Sequence, residues 1–126
     1  MHTSVVTTDA APKAIGPYSP AVWAGDFLFV SGQTPIDPAT GAVVAGSAVE
    51  QLMQCIANVR ALLKAAGLDL DQVVKTTLFV KDLNQFSAIN EAYASVFAPP
   101  YPARSCVEVA RLPKDALVEL EVIAAR

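Results

Sequence analysis

The chain has 126 residues, enough for a single domain over 1–126 whose hydrophobic core closes without disulfides or metal. Only 17% of the residues are charged and 53% are hydrophobic, too little polar surface to cover a monomer, so burial of a second surface in an oligomer is expected. A net charge of -3 and the lack of any Lys/Arg cluster speak against a nucleic-acid partner, since phosphate binding needs a basic patch.

Cys55, Cys106 and the lone His2 form no C-x-x-C pair and too few ligands for a structural zinc site, so no metal is expected. No apolar run approaches the ~20 residues that span a bilayer. The N-terminal "MHTSVVTTDAAPK" has neither the charged nor the apolar region of a secretory signal, which makes the cytoplasm the expected compartment.

"HTSVVTT" is β-branched and reads as a strand. "APKAIGPYSPA" must be a loop, because its prolines fit neither a helix interior nor a sheet interior. "AVWAGDFLFVSGQ" reads as a hairpin around "AGD". "TPIDPATGAVV" is a turn with Pro38 and Gly41 in turn positions, and its "GAVV" is a candidate short strand. Residues 47–66 form the clearest helix: Val49, Leu52, Met53, Ile56, Val59, Leu62 and Leu63 recur every three or four positions. Ser47 with Glu50 forms a capping box, and Gly67 is the stop.

"VVKTTLFVKD" is the next strand. A second helix starts at Asp82 with Gln85 as its box partner, and shows Phe86, Ile89, Tyr93, Val96 and Phe97 on its apolar face. "APPYP" ends it, and residues 104–110 and 117–124 read as a closing hairpin. About six strands and two helices make an α+β sandwich, with both helices on one face of the sheet.

The closing segment is the candidate for chemistry. Period-two alternation puts Ser105, Val107 and Val109 on one face and Arg104, Cys106 and Glu108 on the other. In the last strand Val118, Leu120 and Val122 oppose Glu119 and Glu121. The Val/Leu faces are expected to line the core and the charged faces to point away. In a hairpin looped at "LPKD", Glu108 faces Glu119, and two opposed carboxylates raise a pKa. One face would then hold an Arg for a carboxylate, a Glu base and a thiol. The competing reading is an ordinary solvated sheet face. Cys106 has no His to activate it and reads better as a buried small residue than as a nucleophile.

Three segments, "IGPYSPAV", "FVSGQTPIDPATG" and "YPARSCVEVARLPKDALVELEVIA", resemble the Rid (YjgF) family of reactive-intermediate deaminases, RidA subgroup. The resemblance runs over nearly the whole chain. It implies a chorismate-mutase-like α+β fold and a homotrimer, with sheets around a central barrel and clefts between subunits. It also implies hydrolysis of 2-imino acids such as 2-iminopropanoate and 2-iminobutanoate to 2-oxo acids and ammonia, without a cofactor.

By the same resemblance Arg104 binds the substrate carboxylate and Glu119 positions or activates water. Cys106 is the pocket cysteine, whose backbone holds the imine nitrogen. Tyr18 and Gly32 contact substrate, and Asn90 is a polar residue of the second helix near the cleft. Glu108 and Glu121 receive no role. Two other readings remain open. One is a trimer that binds 2-oxo acids without turnover, against which Glu119 speaks, because an anion binder gains nothing from a carboxylate beside its Arg. The other is a ribonuclease or translation inhibitor, against which the acidic charge speaks.

Overall fold

The computed structural model describes residues 3–126, so His2 lies outside it. Six strands form one sheet: β1 (Thr3–Val6), β2 (Ala21–Ala24), β3 (Phe27–Gln33), β4 (Val73–Val80), β5 (Ala103–Glu108) and β6 (Val118–Ala125). Their spatial order is β1-β2-β3-β6-β4-β5, and only the β4/β5 pair is parallel. Helices α1 (Ala48–Ala65) and α2 (Phe86–Ala94) cover one face. The fold is α+β, as the element pattern predicts. No helix among the described residues is long and apolar enough to cross a membrane.

Helix α1 forms where its periodicity puts it. The Ser47 N–H donates to Glu50 Oε2 at 2.8 Å and closes the capping box. Gly67 takes φ +80, a left-handed conformation that ends the helix at little cost only for glycine. Leu52, Ile56, Val59, Leu62 and Leu63 are buried against the sheet. Met53, expected on that stripe, is 41% exposed, and Cys55 and Asn58 are buried in the helix interface instead. Asn58 meets the cost of its burial by donating to the Thr34 and Ile36 carbonyls at 3.1 and 2.9 Å.

The second helix starts later than its cap suggests. Asp82 caps a short 3-10 turn, Leu83–Gln85, by accepting from the Asn84 N–H at 2.9 Å, and α2 proper begins at Phe86. The "GAVV" stretch is not a strand; it contributes a single bridge, Ile36 to Val43.

The closing hairpin is the larger correction. β5 and β6 do not pair with each other, because β4 lies between them. Glu119 is opposite Phe79, Glu121 opposite Thr77 and Ile123 opposite Lys75. The opposed Glu108/Glu119 carboxylates are thereby avoided. Glu108 instead accepts from the Leu83 N–H at 2.9 Å, at the start of the 3-10 turn that leads into α2, where the free amides favour a carboxylate.

The expected faces of β5 are also reversed. Arg104 and Cys106 stand opposite Thr76 and Leu78, two fully buried residues, and so lie on the helix side. Val107 is on the open side and 42% exposed. The open face of the sheet also displays Val5, Phe27 and Phe29, each more than 40% exposed.

Candidate functional site

The open side of the sheet holds a cleft of about 930 Å³. Its floor is built where β3 departs from regular pairing with β6 between Val30 and Gln33. Irregular pairing of this kind re-aims side chains. Ser31 ties the preceding proline-rich loop to this point: its N–H donates to Pro20 O at 2.9 Å and its Oγ to Ser19 O at 2.6 Å. That loop brings Ile15 and Tyr18 to the rim, and Tyr18 is half-exposed there.

Glu119, from β6, enters the same cleft beside Gly32. A Cβ on Gly32 would sit 2.7 Å from Glu119 Oε2, so only glycine leaves the carboxylate its present place. Burial pushes the Glu119 carboxyl above the usual carboxylate range, and the neighbouring charge of Glu121 adds to this. Glu121 also lines the cleft, which assigns it to this surface although no role is carried to it by resemblance.

Arg104, Asn90 and Cys106 make a second cluster on the other side of the sheet. Arg104 Nη1 donates to Asn90 Oδ1 at 2.7 Å. Its Cζ lies 4.9 Å from the Tyr93 ring centroid and 5.5 Å from that of Phe86. It makes no ion pair among the described residues. Burial pushes the Cys106 thiol up, opposed in part by the Arg104 charge, so the thiol stays protonated and is a poor nucleophile. Val109 donates its N–H to Val80, so by alternation the Cys106 amide is turned to the free edge of β5.

The six residues singled out from the sequence therefore form two groups. Tyr18, Gly32 and Glu119 share the cleft, while Asn90, Arg104 and Cys106 share the edge of β5. Within one chain the two groups lie on opposite faces, contrary to the expectation of a single charged face. Asn90 bonds Arg104 and does not line the Glu119 cleft. The sequence reading missed Ser31 and Gln33 as cleft residues, although both flank Gly32 in "VSGQ". It also read Phe86 and Tyr93 only as core. Their spacing of four and three from Asn90 was the signal that one helix stripe faces Arg104.

A mixed six-stranded sheet with two helices on one face, an arginine held at its edge and a half-buried glutamate in a cleft behind it defines a small α+β protein with polar chemistry on both faces. Residues 8–126 match the family model described as Endoribonuclease L-PSP. The chain is 50% identical, over 98% of both chains, to 2-iminobutanoate/2-iminopropanoate deaminase of Salmonella typhimurium. The crystal structure of a Yersinia pestis protein of the conserved Rid family superposes with TM-score 0.96 at 47% identity, over 99% of this chain and 100% of that one. That of E. coli TdcF with bound serine superposes with TM-score 0.89 at 43% identity, over 98% of each. The chain belongs to the Rid (YjgF) family.

Proposed function

We propose that the protein hydrolyses 2-imino acids, such as 2-iminopropanoate and 2-iminobutanoate, to 2-oxo acids and ammonia. The observation that carries this reading is the pair of incomplete half-sites. A guanidinium without a carboxylate partner stands at one edge, and a glutamate of raised pKa stands in a cleft on the opposite face. Each supplies what the other lacks. In a homotrimer, the number implied by the family resemblance, the Arg104 edge of one subunit closes the Glu119 cleft of the next. The exposed apolar face with Val5, Phe29 and Val107 supports such an assembly, because a monomer would leave it in water. The relatives support the chemistry: one is named an imine deaminase, and another holds serine, a small molecule with a carboxylate like that of the proposed substrate.

In this reading Arg104 takes the substrate carboxylate through charge-assisted bonds worth roughly 1.5–3 kcal/mol each. The outward Cys106 amide holds the imine nitrogen side, and Tyr18 closes the rim. Water attacks the C=N carbon while Glu119 accepts a proton from it. Glu119 returns that proton to the nitrogen, giving a carbinolamine. It then takes the proton of the new hydroxyl as C=O forms and passes it to the nitrogen, so that the C–N bond breaks, ammonia leaves and the 2-oxo acid remains. The chemistry consumes only water and needs no cofactor. Acid–base help of this kind gives typically 10²–10⁴-fold.

The test is loss of 2-iminopropanoate, generated in place by an amino acid oxidase, with wild type and Arg104→Ala side by side. Wild type should speed hydrolysis, and the variant should lose about 10²-fold or more in kcat/KM. Equal rates with and without wild-type protein would reject the reading. The description of the matched family model gives a second reading, RNA cleavage. It would be favoured by ribonuclease activity of the pure protein that disappears in Arg104→Ala.

A further inference from the structure

Helix α2 is only nine residues long, and it turns three of them to one side chain. Phe86, Asn90 and Tyr93 recur at spacings of four and three and all meet Arg104. We propose that this stripe is a cradle for the guanidinium, and that Tyr93 is the positioning residue that holds it as a preformed fork for the carboxylate of a 2-imino or 2-oxo acid. The proposal rests on the reading above, in which Arg104 takes the carboxylate.

The contacts leave one edge of the cation free. Asn90 Oδ1 occupies Nη1 at 2.7 Å, the Tyr93 ring lies 4.9 Å from Cζ, and the Phe86 ring adds a second wall at 5.5 Å. No other hydrogen bond of Arg104 is present among the described residues. The Nε–Nη2 edge is the one that matches a planar carboxylate with two parallel bonds.

Tyr93 is itself locked. Its hydroxyl shares a 2.8 Å hydrogen bond with Thr76 Oγ1, and its ring stacks on Phe97 with centroids 4.4 Å apart. Thr76 is fully buried and stands directly opposite Arg104 in the β4/β5 ladder. Strand, hydroxyl, ring and cation thus close a loop in which each step fixes the next. A phenylalanine would pack as well, but a buried hydroxyl is tolerated only when bonded; here that bond sets the plane of the ring. An arginine ordered before substrate arrives does not lose its rotamer freedom on binding.

The test compares wild type, Tyr93→Leu, Phe86→Leu and Tyr93→Phe. Three quantities are read: kcat and KM for 2-iminopropanoate, and Kd for 2-oxopropanoate by calorimetry. Removing either ring should raise KM and Kd about tenfold while kcat moves less than about threefold. Tyr93→Phe, which keeps the ring but loses the bond that sets its plane, should give a Kd between those of Tyr93→Leu and wild type. A merely structural Tyr93 would lower the melting temperature and the active fraction but leave Kd unmoved, and that result in folded Leu variants overturns the cradle. Should Tyr93→Leu fail to fold, Phe86→Leu, at a partly buried position, tests the cradle wall and Tyr93→Phe tests the hydroxyl bond, and an unmoved Kd in both overturns the proposal. Wild type that binds 2-oxopropanoate without hydrolysing the imine would end the deaminase reading, yet the Kd series would still judge the cradle. Wild type that does not bind 2-oxopropanoate overturns it.

Discussion

Glu119 and Arg104 are tuned by different surroundings. Glu119 is partly buried beside Glu121, and both effects disfavour its charged form. A base must be deprotonated to work, so activity should fall as pH drops through this raised pKa. The acid limb of the kcat/KM profile should therefore lie above 4.5, the usual value for a glutamate. A limb at or below 4.5 would show that Glu119 is not the base. Gly32 acts on the same carboxylate. Gly32→Ala places a methyl 2.7 Å from Oε2 and must push the carboxylate aside, although the strand itself can stay. Steady-state assays should find kcat lowered by about 10- to 100-fold with an unchanged circular dichroism spectrum. Arg104→Lys should not rescue activity, since an ammonium lacks the fork and stacks less well on Tyr93 and Phe86. These proposed roles were legible in the sequence only through the family resemblance. Alternation alone left a solvated sheet face as a serious rival, because period two reports that two faces differ and not what either one meets.

Helix α1 is the element most fully written in the sequence, since its periodicity, cap and glycine stop are all local. The turn after it carries a further device. Asp69 accepts from the Leu70 N–H at 2.7 Å and meets Lys64 and Arg60 at 3.0 and 3.1 Å. These contacts, the backbone bond foremost, lower its pKa to about 2. Because the folded-state pKa is depressed, the stabilisation is present above the ordinary carboxylate value and lost as pH falls toward 2. Asp69→Ala should cost about 1 kcal/mol, or roughly 4 °C in Tm, at neutral pH. The difference from wild type should shrink in acid, as a pair of thermal melts will show. β5 and β6 were harder to read. Their alternation marks them as strands, but nothing local announces that β4 inserts between them. β4 can do so because its Thr76, Leu78 and Val80 share the buried side of the sheet with Val122, Leu120 and Val118 of β6. The apolar side of β5 misleads as well: Val107 faces outward and is 42% exposed.

The composition and the fold point the same way for the whole molecule. A sheet with one face under helices and the other exposing Val5, Phe27, Phe29 and Val107 fits the assembly proposed above. Sedimentation of wild type should give three times the 13.2 kDa chain mass, and Phe29→Asp on the open face should lower both the mass and the activity. A fully active monomer would remove the need for shared sites. The most direct measurement is complementation. Arg104→Ala and Glu119→Gln should each be inactive alone. When the two are mixed, dissociated and reassembled, some interfaces pair an intact Arg104 with an intact Glu119 from the neighbouring subunit. Activity on 2-iminopropanoate should then return to about a quarter of wild type, the share expected for random assembly in a ring. A reassembled mixture that stays inactive, beside a wild-type control that regains full rate, would place both residues' work within one chain and contradict the shared site.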